Sequence, residues 1–192
     1  MHPFDLARTL VDAAHTHDPN LTADGRAAEL VYADRMESWL VRLNPAASAL
    51  LRLAARCQHL ERWQTPRNSF PEGKGGYLAW RRSLYVKQAD RAKELLLHGG
   101  VSSEDAEHVW LWVSKTDLKS NPGTQALEDA AILVFLENEI SSFVVQHGDY
   151  PREKFVEILR KSWRKLSPQG QSAAGTLDLP PGIAELVREA IS

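Results

Sequence analysis

The sequence predicts an all-α fold, one compact domain over residues 1–192 with about seven to nine helices, and three observations carry that expectation. Proline, glycine and capping residues divide the chain into successive stretches of helical periodicity, and no run alternates apolar and polar residues as a half-buried strand does. A chain of 192 residues with 43% hydrophobic and 25% charged side chains falls in the range of a single globular core and outside that of disordered chains. The longest apolar run, Ala130 to Leu136, is far below the roughly 18 residues that suggest a membrane span.

The first helix is expected from Phe4 to Ala14, ending before the turn Asp18-Pro19-Asn20, because the residue before proline is pushed out of the α region. A second runs from Asp24 to Leu43. Asn44-Pro45 then caps a third, which reaches Trp63 and turns Leu50, Leu53, Ala54, Cys57 and Leu60 inward. The stretch Gln64 to Gly76 is the longest expected loop, and a fourth helix follows from Tyr77 to His98, closed by Gly99-Gly100. Ser102 or Ser103 caps a fifth that runs to about Lys115, with Glu104 and Asp105 at the positive end of its dipole. The sixth is one helix from Gly123 to Val145, the seventh spans Asp149 to Leu166, a short piece follows Ser167-Pro168, and the last helix runs from Pro181 to Ile191.

The amino terminus lacks a basic stretch followed by an apolar one, so no secretory leader is expected and the location is read as cytoplasmic. The lone Cys57, with apolar neighbours at helical spacing, is read as a buried thiol in a reducing compartment.

Charge is unevenly spread beneath a net value of −2. Residues 52–93 carry ten Lys or Arg against three acids, whereas residues 101–150 carry two against nine. One local basic patch suits a small anion, while nucleic-acid binding asks for an extended basic face. Neither a nucleic acid nor a membrane is expected as partner. Within the basic stretch, Arg62, Trp63, Arg67, Tyr77, Trp80 and Arg81 combine guanidinium forks, which grip carboxylates and phosphates, with aromatic faces that stack. Together with Lys115 they form the candidate pocket for a small phosphorylated or nucleotide-like ligand. The alternative is that the rings are core and the arginines pair with acids. Gly73, Gly75 and Gly76 do not make a phosphate loop, for no strand precedes them and the nucleotide-loop motif is missing.

Asp129 shares an i, i+4, i+7, i+11 stripe with Leu133, Leu136 and Ile140, which places a carboxylate on a core face. A buried carboxylate requires a partner, either a structural cation or a role as metal ligand or general base. Glu128 beside it is the second candidate acid. His59, at the edge of the third helix's apolar stripe, would complete a metal site with Asp129 in a helical bundle, or else is a satisfied core residue.

The segments Arg56-Cys57-Gln58-His59-Leu60-Glu61-Arg62-Trp63, Pro66-Arg67, Phe70-Pro71, Gly76-Tyr77 and Trp80-Arg81 resemble a bacterial and fungal family of unknown function sometimes mislabelled as glutamyl-tRNA synthetase. The likeness continues through Ala126-Leu127-Glu128-Asp129, Val134-Phe135-Leu136-Glu137 and Ser162 to Ser167, and so covers most of the chain from Tyr32. No βαβ nucleotide-binding unit supports the synthetase label. The family is reminiscent of HD-type metal phosphohydrolases, which implies a divalent metal held by His59 and Asp129 and a phosphate held by the arginines. This chain departs from the family pattern at Gln88, Asn138 and Gln171, where relatives place histidine, and amides are poor metal ligands. The resemblance therefore implies either a metal-dependent phosphohydrolase or a non-catalytic ligand-binding or regulatory module that has lost its metal.

Overall fold

The computed structural model describes residues 2–192 and is helical throughout. In chain order the described residues form α1 (Pro3–His15), α2 (Ala28–Leu43), α3 (Ala49–Arg56), α4 (Gly73–His98), α5 (Ser103–Val113), α6 (Pro122–Val134), α7 (Ile140–Gln146), α8 (Arg152–Trp163), α9 (Pro168–Ala174) and α10 (Pro181–Ile191). An isolated antiparallel bridge between Leu21 and Ala27 is the nearest approach to β-structure among them. No helix among the described residues is long and apolar enough to cross a membrane. The helices gather into two compact units, one running up to Leu127 and the other from Glu128 to Ser192.

α4 begins at Gly73 rather than Tyr77 and α8 spans Arg152–Trp163 rather than Asp149 to Leu166; α2, α3 and the sixth helix also differ from the sequence expectation, each for a local reason. α2 starts at Ala28 rather than Asp24, because Gly25 sits in the left-handed region at φ +81° and breaks the helix upstream. Its first turn is capped from a distance: the buried Asp18 carboxylate accepts from the Glu29 N–H at 3.0 Å. α3 starts at Ala49, where the Ser48 hydroxyl accepts from Leu51 N–H, and stops at Arg56 instead of continuing to Trp63. The long sixth helix is interrupted by a π-turn at Phe135–Glu139, so α6 and α7 replace one expected helix and the total reaches ten among the described residues.

In the first unit α1, α2, α3, α4 and α5 pack on one another. Ala33, Met36 and Leu40 of α2, Leu53 and Ala54 of α3, and Ala89, Ala92 and Leu96 of α4 are buried. Burial of such side chains supplies about 1.5–3 kcal/mol for each large one. The thiol of Cys57 is buried and pushed up to about 12 by that burial, which fits a packing residue. Among these apolar groups sits one cation. Arg56, at 2% exposure, donates from Nε to Asp12 at 2.6 Å and from Nη1 to Asp34 at 2.9 Å and Glu37 at 3.0 Å. Arg8 closes the set by gripping both oxygens of Glu37. The acids come from α1 and α2, so the guanidinium at the end of α3 ties three helices together.

In the second unit α8 packs along α10, with Phe155, Val156, Leu159, Ile183 and Leu186 buried. Gly170 lies against the Asp129 carboxylate, and a Cβ there would stand 2.9 Å from it.

Replacing Arg56 with methionine leaves Asp12, Asp34 and Glu37 without their shared cation. The expected loss is about 3–5 kcal/mol, the range for breaking one side of a buried ion pair. Denaturant unfolding of the variant measures it, and a loss below 1 kcal/mol would contradict the role given to this network.

Candidate functional site

The sequence break after Arg56 creates the site. The apolar spacing of Cys57 and Leu60 suggests a continuing helix, and both are buried, but in a turn rather than on a helix. His59 at φ 60° and Glu61 at φ 52° lie in the left-handed region, which non-glycine residues enter at a cost of order 1–3 kcal/mol. A second pair with the same spacing, Lys115 at φ 62° and Asp117 at φ 52°, follows α5. Both strained turns deliver a side chain to the same place.

His59 is stacked on Tyr32 of α2, with ring centroids 3.9 Å apart and planes 9° from parallel. Its Nδ1 lies 3.4 Å from Glu29 Oε2, and its Nε2 lies 2.7 Å from Arg62 Nη1. The same Arg62 Nη1 also lies 3.4 Å from Nδ1, so the guanidinium stands against both ring nitrogens. Burial is the first cause that holds the imidazole well below its ordinary value, followed by Arg62, Lys115 and Arg81 as neighbouring cations. His59 is neutral, and three positive groups bear on it.

Each cation is supported by aromatic residues of α4. The Arg62 guanidinium lies 5.1 Å from the Trp80 ring, and Trp80 is itself fixed by donating from its indole N–H to the Thr65 carbonyl at 2.8 Å. Arg81 donates from Nε to the Tyr85 hydroxyl at 3.0 Å and from Nη1 to the Tyr77 hydroxyl at 3.3 Å. Lys115 Nζ stands 5.3 Å from the Tyr85 ring centroid. Tyr77, Arg81 and Tyr85 recur every four residues and so share one face of α4. Tyr77 remains 42% exposed, an aromatic surface beside the cations.

The other sequence candidates are placed differently. Arg67 spends its guanidinium on backbone carbonyls, donating to Phe70 and Pro71 at 3.0 Å each, and thereby folds the loop that leads into α4. Trp63 is half-buried in a short 3₁₀ turn. Gly76 serves packing, since a Cβ there would collide with the Pro71 carbonyl. Asp129, in the second unit, is buried as its stripe requires. It accepts from Ser167 N–H at 2.8 Å and from the Ser167 hydroxyl at 2.5 Å, while Glu128 pairs with Lys165 at 3.0 Å. Sequence reasoning missed Glu29, Tyr32 and Tyr85. The four-residue spacing from Tyr77 through Arg81 could have found Tyr85, whereas Glu29 and Tyr32 arrive from another helix with no local signal.

The donor set was also weighed for a divalent metal. The Arg62 guanidinium stands against both nitrogens of His59, and the cations that bear on the ring would repel another. Among the described residues no group of three or more His, Cys, Asp or Glu side chains gathers as a metal site needs. Gln88 is buried on the Arg81–Tyr85 face of α4, Asn138 is exposed, and Gln171 donates to the Trp163 carbonyl. The residues as placed around His59 do not fit a metal ion.

A family model described as a domain of unknown function (DUF4202) matches residues 5–187. No curated protein and no solved structure matches the chain.

The lowered pKa of His59, and that of the buried His15, fix the sign of the pH dependence. Unfolded histidine takes up its proton near pH 6.5 and the folded rings resist it, so their contribution is complete above that value and is lost as pH falls below it. Stability of the His59→Gln variant, measured between pH 7 and 5, is expected to decline less than that of the wild type. Parallel declines would contradict the neutral, cation-flanked imidazole.

Proposed function

We propose, for a chain that belongs to the DUF4202 family of domains of unknown function, that it binds a small phosphorylated anion at the cluster of Arg62, Arg81 and Lys115 around His59. The observation that supports this reading most strongly is the convergence of three cations on one neutral imidazole, held by two backbone turns in strained conformations. Gathering like charges is unfavourable by itself. A phosphate dianion relieves it by accepting charge-assisted hydrogen bonds, each worth about 1.5–3 kcal/mol. Guanidinium and ammonium groups braced against aromatic faces are already oriented, so little ordering cost remains at binding. The exposed Tyr77 ring offers the organic portion of such a ligand a stacking surface.

This reading favours a metal-independent site over the metal-dependent phosphohydrolase that an HD-type likeness would imply. The amides at Gln88 and Asn138 point the same way.

Thermal unfolding in graded inorganic phosphate and pyrophosphate, at constant ionic strength set with chloride, tests the reading. Saturating ligand at about 100 times Kd stabilises a one-site protein by about 2.7 kcal/mol. Arg81→Ala and Lys115→Ala should each weaken the response by roughly tenfold or more, the equivalent of one lost charge-assisted bond. An unchanged melting temperature in the wild type, or a response in both variants equal to that of the wild type, would contradict it.

A further inference from the structure

We propose that Gln88 is a ligand-binding residue of the same site, its buried side-chain amide turning onto a phosphoryl oxygen when the anion is held at the cation cluster around His59. The proposal rests on the anion-binding reading and adds to it a neutral donor at the inner end of the site.

The observation behind it is a hydrogen bond that the core does not supply. Gln88 is 4% exposed, and its amide nitrogen has no hydrogen-bond partner. A buried donor in that state has given up the bond that water makes to it in the unfolded chain, and folded proteins tolerate this at few places. The other buried side-chain atoms without a partner among the described residues are Nε2 of Gln58 and Nδ1 of His15. Gln58 precedes His59 in the strained turn, and the His15 ring binds the carbonyl of Arg56, the residue from which that turn departs. Two of these three unmet atoms thus lie along the turn that carries His59, and the third lies on the helix packed against it.

Helical spacing sets Gln88 at the boundary between core and site. It follows Arg81 by seven residues and Tyr85 by three, and precedes Ala92 and Leu95 by four and seven, so all five share one face of α4. Toward the carboxyl end that face is core, with Ala92 and Leu95 buried; toward the amino end it carries Arg81 between the hydroxyls of Tyr77 and Tyr85. On either side of Gln88 the helix is tied to the segment after His59, Lys87 donating to the Thr65 hydroxyl and Arg91 to Glu61, each at 3.1 Å. Gln88 is the polar residue of that face nearest the core.

An amide suits this position. Its nitrogen carries two N–H groups and no net charge, so it donates to a phosphoryl oxygen without adding to the repulsion among the cations. The terminal torsion of glutamine is broad, and the amide turns without displacing α4. Binding then converts an unmet donor into a charge-assisted hydrogen bond. Replacing Gln88 by an apolar residue of similar shape removes both the unmet donor and the bond to the ligand, so ligand-free stability and phosphate affinity should move in opposite directions.

The experiment measures Gln88→Leu and Gln88→Met in the full chain, by denaturant unfolding without phosphate and by thermal titration with inorganic phosphate at constant ionic strength. In parallel, nitrogen-15 NMR follows the Gln88 side-chain amide of the wild type, assigned as the signal missing from both variants, through the same titration. The variants should unfold at a denaturant concentration equal to or above that of the wild type, yet bind phosphate roughly tenfold or more weakly. The wild-type amide signal should shift along the binding isotherm. Phosphate that binds the variants as tightly as the wild type, or an amide signal that stays still while phosphate binds, would overturn the proposal and leave the site standing. Lower ligand-free stability in both variants would show that the amide already has its bond in the free chain, and would overturn it too. No phosphate binding by the wild type would remove the site and this proposal with it.

Discussion

The buried guanidinium of Arg56 is the interaction on which the site depends. A cation at 2% exposure is tolerable only with its charge matched, and three carboxylates from α1 and α2 match it. The same residue uses its backbone. Its carbonyl lies 2.7 Å from Nε2 of the fully buried His15, which must therefore donate and is held neutral by burial. Side chain and main chain together pin the end of α3, and three residues later His59 enters the left-handed region. A turn in that conformation persists only where its surroundings over-determine it. Arg56 below and the Tyr32 stack beside it supply that constraint, and Glu61 adds another by accepting from Arg91 of α4 at 3.1 Å.

The arrangement around His59 exchanges stability for readiness to receive an anion. Two like charges about 7 Å apart repel by roughly 2 kcal/mol at an effective dielectric near 20. Aromatic faces and phenol oxygens of Trp80, Tyr77 and Tyr85 offset part of that, since a ring face attracts a cation and a phenol oxygen accepts from it. The cations that bear on the imidazole are the same ones to which phosphate binding is proposed.

Much of this was legible in the sequence because it depends on local chemistry. Helical periodicity, the serine cap of α5, and the basic and aromatic content from Arg62 to Arg81 are properties of neighbouring residues, whereas the cap expected at Asn44 falls at Ser48. The stripe carrying Asp129 correctly marked a buried carboxylate in need of partners, and Ser167 supplies two hydrogen bonds to it. What periodicity misses is the point at which tertiary demands override it. Cys57 and Leu60 continue an apolar spacing through a helix that has ended, because burial in a turn and burial on a helix leave the same pattern. The π-turn at Phe135–Glu139 has no proline or glycine to announce it. Arg67 looks like a ligand residue by type, yet the carbonyls it grips become neighbours only after the loop folds. Glu29 lies thirty residues from His59, beyond any motif.

The central claim is that the neutral imidazole of His59, flanked by Arg62, Arg81 and Lys115, sits at the heart of the proposed phosphate site. Nitrogen-15 NMR of the His59 ring during a titration with inorganic phosphate at neutral pH measures it most directly. The account predicts a neutral ring at the outset and a progressive, saturable shift of its nitrogen resonances, Nε2 included, as Arg62 is drawn to the anion, with the shift lost in Arg81→Ala. A ring that is protonated at neutral pH, or an Nε2 resonance that ignores phosphate, would contradict it.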